Sequence, residues 1–259
     1  MIPKVIHYCW FGKNPKPMMV RQCISSWRKY LPDFEIREWN EDTFNMNECE
    51  WIINAYHEKK WAFVADYVRF SVLYTWGGIY LDTDVLVKKP FDLFLHNSFF
   101  SALEFPLDYK FLKEWKVADD KGNFLYDKSK PHHLCMCGIL AAIMGAESHH
   151  PLVKDCLDYY IHTEWKSVST SMSNQSIVCD DIILSKLWNY GYLLKDKTQK
   201  LTNGITIYDS SYFGGSLKYQ GNDNYAVHMC SSTWREEKGF KVKLKHLYKT
   251  IMSVFLKFK

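Results

Sequence analysis

The stretch G-G-I-Y-L-D-T-D-V, residues 77–85, decides the fold of this chain. Two glycines end a helical pattern, three apolar residues predict a buried strand, and Asp82 and Asp84 follow with one residue between them. Alternate side chains of a strand point the same way, so we expect both carboxylates to converge just beyond the sheet edge. Oxygen ligands of this kind suit Mg²⁺ or Mn²⁺ holding a diphosphate. On the motif alone, a solvated Asp-x-Asp turn is the alternative.

The preceding segment, residues 61–76, predicts a helix packed against the core. Its apolar positions 61, 64, 65, 68, 72 and 76 have helical spacing. Asp66 and Arg69 are three residues apart and therefore neighbours on the helix, in an apolar setting where charges are usually paired or bound to a ligand. The sequence leaves both interpretations open, a structural ion pair and a ligand-binding pair. Gly77 suits the end of the helix, where a positive φ is wanted.

Three further segments share a resemblance with this region. The chain opens with I-P-K-V-I-H-Y-C-W-F-G, continues with F-E-I-R-E-W-N at residues 34–40, and carries Y-A-V-H-M-C-S-S-T-W at residues 225–234. Together with A-D-Y-V-R-F and the G-G-I-Y-L-D-T-D-V stretch, they resemble the DXD-motif glycosyltransferases. That family includes capsular-polysaccharide transferases, initiating mannosyltransferases and, more distantly, the catalytic domain of large glucosylating cytotoxins. Residues 1–90 and 225–234 carry the resemblance, and the middle of the chain departs from it.

The resemblance implies a fold and a reaction. The expected fold is α/β, a GT-A-like, Rossmann-related single domain with a mostly parallel central sheet. The expected reaction is transfer of a hexose from a nucleotide sugar, with UDP-hexose as the expected donor and Mn²⁺ or Mg²⁺ as cofactor. The acceptor would be a saccharide or lipid-linked saccharide in surface or capsular polysaccharide synthesis, and the anomeric configuration would be retained.

The resemblance also implies the residues of the site. Metal ligands would be Asp82, Asp84 and His228. Catalytic residues would be Asp66, Arg69, Asp82 and Asp84, with the first two orienting donor hydroxyls and phosphate. Trp10 and Asn40 would hold the nucleoside base, and the full set of expected donor-binding residues is Trp10, Asn40, Asp66, Arg69, Tyr80, Asp82, Ser232 and Trp234. Without the resemblance, Trp10 and His228 would be interpreted as core residues.

The order of predicted elements agrees with this fold. A strand at residues 4–9, a helix at 18–30 and a strand at 34–39 follow one another with short connections, as in a parallel doubly wound sheet. Glu104, at the end of a predicted strand, is interpreted as a solvated strand end rather than a site residue. Asp180 and Asp181 fall on a predicted helix, residues 177–190, where adjacent side chains diverge by about 100°. We interpret them as surface or acceptor-side charge.

Length and composition limit the remaining possibilities. The chain has 259 residues, 47% of them apolar, and a net charge of +4, which suits one globular domain, predicted as residues 1–237. Met1-Ile-Pro-Lys leads directly into a strand pattern, with neither a signal peptide nor a transmembrane span. The eight cysteines therefore predict reduced packing thiols in a cytoplasmic protein.

The last residues, 238–259, predict a basic amphipathic helix. Its apolar positions form one helical stripe among lysines, and no acid follows Glu237. This composition is typical of an interfacial helix attracted to anionic lipid, which would make the protein peripheral at the inner face of the cell membrane. Packing of the helix on the domain, with a basic outer face, is the alternative. No nucleic-acid-binding motif accompanies the charge, so we expect no nucleic-acid partner.

Two other function classes share parts of this pattern. A metal-dependent nucleotidyltransferase or phosphohydrolase would need further convergent carboxylates, which the sequence pattern does not present. A membrane-associated scaffold that binds sugar nucleotides without transferring them is the non-enzymatic alternative.

Overall fold

A computed structural model describes residues 1–134, 137–165, 178–215, 218 and 221–230. Three sequence predictions fall beyond these ranges. Ser232, Trp234 and the predicted helix at 238–259 lie outside the described residues. Within the described ranges, no helix is both long and apolar enough to cross a membrane.

Strands and helices alternate along the first part of the chain, as predicted. The elements are β1 (Val5–Cys9), α1 (Met18–Tyr30), β2 (Glu35–Trp39), α2 (Glu50–His57), α3 (Trp61–Trp76), β3 (Gly78–Leu81), β4 (Val85–Val87), β5 (Phe99–Ala102), α4 (Tyr109–Glu114), β6 (Ile143–Ala146), α5 (Pro151–His162), α6 (Cys179–Leu187), β7 (Gln199–Lys200), β8 (Ile205–Tyr208), β9 (Phe213–Gly214) and β10 (Ala226–His228). Helix α2 has no counterpart among the sequence predictions.

The central sheet confirms the predicted α/β architecture. Its strand order is β2-β1-β3-β6-β5-β8-β7. Strand β1 pairs in parallel with β2 and β3, and β5 pairs in parallel with β8. Strands β6 and β7 run in the opposite direction to the others. The sheet is therefore mostly parallel, and the ends of β1 and β3 lie at one edge, where such sheets carry their ligand sites.

A second, smaller sheet joins distant parts of the chain. Its order is β4-β10-β9. Strand β10 pairs antiparallel with β4, and His228 is in register with Val85. Since β4 starts directly after the Asp82–Asp84 segment, this pairing brings His228 beside the two aspartates.

Helix α3 is more deeply buried than the predicted apolar stripe implies. Buried side chains occur all around its middle, and both Asp66 and Arg69 are among them. The stripe is wrong at its end, because the Trp76 side chain is 52% exposed. The helix contacts α2 and α5 on one side and the sheet on the other, which leaves only its last residues in solvent.

The glycine turn between α3 and β3 is held by a buried histidine. Gly77 and Gly78 have φ of +63° and +107°, which confirms the predicted positive φ after the helix. His7 Nδ1 accepts a hydrogen bond from Trp39 Nε1 at 3.1 Å, so the ring proton is on Nε2 and is donated to the Gly77 carbonyl oxygen at 2.8 Å. Burial lowers the pKa of His7 to about 4, which keeps the ring neutral.

Candidate active site

A cavity of about 520 Å³ opens at the sheet edge where β1 and β3 end. Trp10 follows β1, Asp82 and Asp84 follow β3, and helix α3 forms one wall. The first residues of α6 also line the cavity. Its position at the carboxyl ends of parallel strands is the one expected for a ligand site in an α/β sheet.

Asp82 and Asp84 converge in this cavity, although the predicted reason for it is wrong. Strand β3 ends at Leu81, and the Val85 N–H donates to the Asp82 carbonyl oxygen at 3.0 Å, so the segment is a tight turn rather than an extended strand end. One donor atom from each of Asp82, Asp84 and His228 lies within 4.8 Å of the other two. A turn and the pairing of β10 therefore assemble the predicted donor set.

His228 is fixed by its own strand. The Met229 N–H donates to the Asp84 carbonyl oxygen at 2.9 Å, and His228 Nε2 lies 3.3 Å from Asp84 Oδ1. Burial lowers the pKa of His228, but the charges and hydrogen bonds of Asp84 and Cys230 together raise it by more, so the pKa lies well above its ordinary value. The two oxygen donors and one imidazole nitrogen fit a divalent cation.

Asp66 and Arg69 form an ion pair that also faces the cavity. Arg69 Nη2 lies 2.9 Å from Asp66 Oδ1 and 3.5 Å from Asp82 Oδ1. Its Nη1 donates to the Ala141 carbonyl oxygen at 2.9 Å, and the guanidinium carbon lies 4.7 Å from the centre of the Tyr80 ring. The structure therefore shows the buried ion pair, and because the pair lines the cavity, its binding of a ligand stays a prediction.

Tyr80 connects the strand to the first aspartate. Its hydroxyl donates to Asp82 Oδ1 at 3.1 Å, while its ring is almost completely buried. Arg69 and Tyr80 therefore hold the same carboxylate from two directions.

Burial raises the pKa of Asp66 to about 7, and the nearby Arg69 guanidinium only partly offsets this effect.

Two carboxyl groups at the site were assigned elsewhere from the sequence. Glu104 lines the cavity and its side chain is only 18% exposed, so its interpretation as a solvated strand end is wrong. Burial, followed by the charge of Asp180, raises the pKa of Glu104 to about 8. Burial also raises the pKa of Asp180 to about 6, and Asp180 Oδ1 accepts the Ala141 N–H at 2.8 Å. We expected no carboxylates beyond Asp82 and Asp84 to converge at the site, and this expectation is wrong because Glu104 and Asp180 also line the cavity.

Asp180 and Asp181 are not surface charges either. Asp180 lines the cavity, and Asp181 is 2% exposed, accepting the Val178 N–H at 3.0 Å and contacting His133 Nδ1 at 3.0 Å. Both residues lie in the first turn of α6, where the helix dipole and unpaired N–H groups favour acids. The start of the predicted helix could have indicated that these acids cap N–H groups, whereas no sequence signal indicates their burial.

The two residues expected to hold a nucleoside base have different surroundings. Trp10 lines the cavity and is partly buried, with its Nε1 donating to the Asn14 carbonyl oxygen at 2.7 Å. Asn40 is not among the residues that line the cavity. Its Oδ1 accepts the Asp42 N–H at 2.9 Å and its Nδ2 donates to Glu38 at 3.3 Å, so it shapes the turn after β2.

Comparison with known proteins yields a family for the N-terminal part of the chain. Residues 17–101 match a family described as "Glycosyltransferase sugar-binding region containing DXD motif". This match includes α3, the glycine turn and the Asp82–Asp84 segment, and it confirms the resemblance found in the sequence.

Two relatives and one solved structure illustrate the extent of the similarity. Inositol phosphoceramide mannosyltransferase 1 of Schizosaccharomyces pombe is 29% identical over 133 residues, 48% of this chain and 41% of the relative. Uncharacterized glycosyltransferase L373 of Acanthamoeba polyphaga mimivirus is 32% identical over 106 residues, 39% of this chain and 42% of the relative. The chain thus spans about two fifths of both relatives. The galactosyltransferase LgtC, solved with donor and acceptor sugar analogues, has a TM-score of 0.47 and 11% identity over 97% of this chain and 94% of its own.

Proposed function

Because residues 17–101 belong to the DXD-containing sugar-binding region of glycosyltransferases, we propose that this chain is a metal-dependent hexosyltransferase. The donor is a nucleotide sugar, with UDP-hexose the first candidate. The acceptor is a saccharide or lipid-linked saccharide of a surface polysaccharide, and the configuration of the transferred hexose is retained. One observation carries the proposal: Asp82, Asp84 and His228 converge in a cavity that also contains the buried Arg69.

The donor set suits Mn²⁺ better than Mg²⁺. Mg²⁺ is bound almost entirely by oxygen, whereas the third donor here is an imidazole nitrogen. When bound, the cation would neutralise charge that builds on the leaving diphosphate. Tyr80 and Arg69 hold Asp82 in position for this role.

The remaining side chains of the cavity suit the other parts of a nucleotide sugar. Arg69 cannot lose its proton and presents a fixed positive charge for phosphate oxygens. The Trp10 ring offers a stacking surface for a base. Glu104 and Asp180, which also line the cavity, supply carboxyl groups for hydrogen bonds to sugar hydroxyls.

Turnover of a panel of nucleotide sugars, with Mn²⁺ and with EDTA, tests this proposal. Asp84→Asn should abolish Mn²⁺-dependent turnover and keep the fold, because the side chain lies in a turn at the cavity. Asp42→Asn is the matched control, because Asp42 is exposed and its side chain lies 3.4 Å from Lys13 Nζ. Undiminished turnover by Asp84→Asn would refute the metal site.

Two other outcomes would assign a different function class. Mn²⁺-dependent binding of a nucleoside diphosphate without any turnover of the sugar nucleotides would favour a binding scaffold. Cleavage of the nucleotide's own phosphate linkages would favour a phosphohydrolase, for which the additional carboxyl groups of Glu104, Asp180 and Asp66 would be the relevant signal.

We also propose that residues 238–259 bring the enzyme, as a cytoplasmic protein, to an anionic membrane surface where lipid-linked acceptors are found. The support is the sequence itself, in which lysines surround an apolar stripe without any acid after Glu237. Each lysine near such a surface contributes on the order of 1 kcal/mol, and salt weakens the attraction. Sedimentation with liposomes should show binding that rises with anionic lipid and falls with salt. A chain lacking 238–259 that binds equally well would refute the proposal.

A further inference from the structure

A thiol lies on the far side of His228 from the two aspartates. The Cys230 thiol donates to the Gly215 carbonyl oxygen at 2.9 Å, and its sulfur lies 3.5 Å from His228 Nδ1. Glu104 Oε1 lies 3.9 Å from the same nitrogen. One donor atom from each of Glu104, His228 and Cys230 lies within 4.8 Å of the other two. Sulfur, nitrogen and oxygen donors therefore meet at one point of the cavity wall.

The distances between these atoms are close to those of a tetrahedral zinc site. With Zn–S about 2.3 Å, Zn–N about 2.05 Å and Zn–O about 2.1 Å, tetrahedral geometry separates sulfur from nitrogen by about 3.6 Å and nitrogen from oxygen by about 3.4 Å. The observed separations are 3.5 Å from Cys230 Sγ to His228 Nδ1 and 3.9 Å from His228 Nδ1 to Glu104 Oε1. Movement of the Glu104 oxygen by about half an ångström would bring the nitrogen-to-oxygen separation to the tetrahedral value, and the Cys230 sulfur lies within 4.8 Å of a Glu104 oxygen.

We propose that Glu104, His228 and Cys230 form a second metal site that binds a thiophilic cation such as Zn²⁺. Three protein ligands leave the fourth position for water from the cavity. The sulfur ligand gives this site a different metal preference from the Asp82–Asp84 turn, because thiolates select Zn²⁺ over Mg²⁺ and Mn²⁺. Binding of Zn²⁺ releases protons to solvent, namely the thiol proton that Cys230 donates to the Gly215 carbonyl oxygen and the protons carried by His228 Nδ1 and the Glu104 carboxyl group.

His228 would link the two sites through its two ring nitrogens. Nε2 faces Asp84 at 3.3 Å and Nδ1 faces Cys230 at 3.5 Å. A neutral imidazole has one lone-pair nitrogen, so a cation on Nδ1 requires the proton on Nε2. Nε2 then donates toward Asp84 and cannot bind a cation there. Zn²⁺ would therefore weaken Mn²⁺ binding, a consequence that rests on the proposed function, whereas the zinc site does not.

Cobalt(II) is the probe for the thiolate ligand, because it occupies zinc sites and gives a sulfur-to-cobalt charge-transfer band in the near ultraviolet. The wild-type chain should develop this band with one Co²⁺ and lose it when Zn²⁺ is added. Cys230→Ser should remove the band and weaken Zn²⁺ binding by more than about 100-fold, since loss of a direct ligand should exceed the about 10–100-fold cost of losing an outer partner. Cys49→Ser, a partly buried thiol at the start of α2, is the matched control and should keep the band.

Three results would overturn the site. The first is a band that persists in Cys230→Ser, which would place the metal on another thiol. The second is a wild-type chain without any band at equimolar Co²⁺. The third is loss of the band in Asp82→Asn, which would show that the thiolate-bound cation depends on Asp82 and that the two sites are not separate. With Asp82→Asn the band should remain.

Competition is measured separately, from the electron paramagnetic resonance signal of free Mn²⁺. Zn²⁺ equimolar with the chain should raise the Mn²⁺ dissociation constant of the wild type at least about tenfold, as expected when one of three ligands is withdrawn. The effect on Cys230→Ser should be smaller, because there Zn²⁺ competes only directly for Asp82, Asp84 and His228. An equal effect of Zn²⁺ on both chains would refute the linkage through His228. Absence of Mn²⁺ binding to the wild type would contradict the proposed function and leave the cobalt result standing.

Discussion

Acid should destabilise this protein through His7, and the size of the effect follows from its burial. The His7 side chain is completely buried and uses both ring nitrogens, one for Trp39 and one for the Gly77 carbonyl. Protonation would add a second N–H where Trp39 already donates and would place a charge in an apolar setting. His7→Gln is the informative change, because an amide can accept from Trp39 and donate to Gly77 without titrating in this range.

The sign and magnitude come from the lowered pKa of His7. Its folded-state pKa of about 4 lies below the ordinary value of 6.5, so between these values the unfolded chain holds a proton that the folded chain lacks. Stability is therefore fully present above pH 6.5 and falls as the pH decreases toward 4. Each pH unit in this window corresponds to about 1.4 kcal/mol, which gives a loss of about 2 kcal/mol by pH 5 and about 3 kcal/mol by pH 4.

Urea unfolding between pH 7.5 and pH 5 measures this loss. The free energy of unfolding of the wild type minus that of His7→Gln should decrease by about 2 kcal/mol over this interval. The difference between the two proteins removes the contributions of all other titrating groups. His96→Gln, at an exposed position, controls for the substitution itself. A difference that stays constant with pH would show that the buried ring does not resist protonation.

Three further changes test the site and the glycine turn. Arg69→Lys should raise the KM for the nucleotide sugar at least about tenfold, because the bidentate guanidinium is lost; an unchanged KM with lower stability would identify a purely structural pair. Glu104→Gln, measured in EDTA, should become more stable relative to the wild type as the pH rises from 4.5 to 8, because a pKa of about 8 in the folded protein means that ionisation of Glu104 opposes folding. A difference in the free energy of unfolding that stays constant with pH would contradict this. Gly78→Ala would place Cβ 2.7 Å from the Val5 carbonyl oxygen. It should lower the free energy of unfolding by several times the about 1 kcal/mol expected for Gly191→Ala, where φ is also positive but no atom lies within 4 Å. Equal losses of the two variants in urea unfolding would refute the clash.

The sequence predicts the elements that build the site better than it predicts their burial. Helix α1 has the predicted bounds of residues 18–30, since its apolar spacing and the prolines on either side leave little choice. The glycine turn was predictable because only glycine adopts those φ angles without strain. The exposure of Trp76 was not predictable, since helical spacing cannot indicate where a helix leaves the core.

The candidate site shows the same division. Asp82 and Asp84 are separated by one residue in the sequence, so their motif suffices to propose a cation site. Glu104 and Asp180 reach the cavity only through the packing of β5 and α6, and nothing in their immediate neighbours distinguishes a buried carboxylate from a solvated one. Resemblance to a family located His228, whereas its distance along the chain from Asp82 and Asp84 does not indicate that it faces their turn.

The pairing of β4 with β10 has a consequence for how the protein is made. Residues 85–87 lie early in the chain and residues 226–228 lie late, yet they form one ladder, and the third member of the cation-binding set stands at its end. Closing so long a loop is entropically costly and tends to occur late in folding. While a ribosome is still extending the chain, the aspartates would already be present without their imidazole. Premature capture of metal by the nascent chain would thereby be disfavoured, and the proposed donor set would be complete only when β10 has formed.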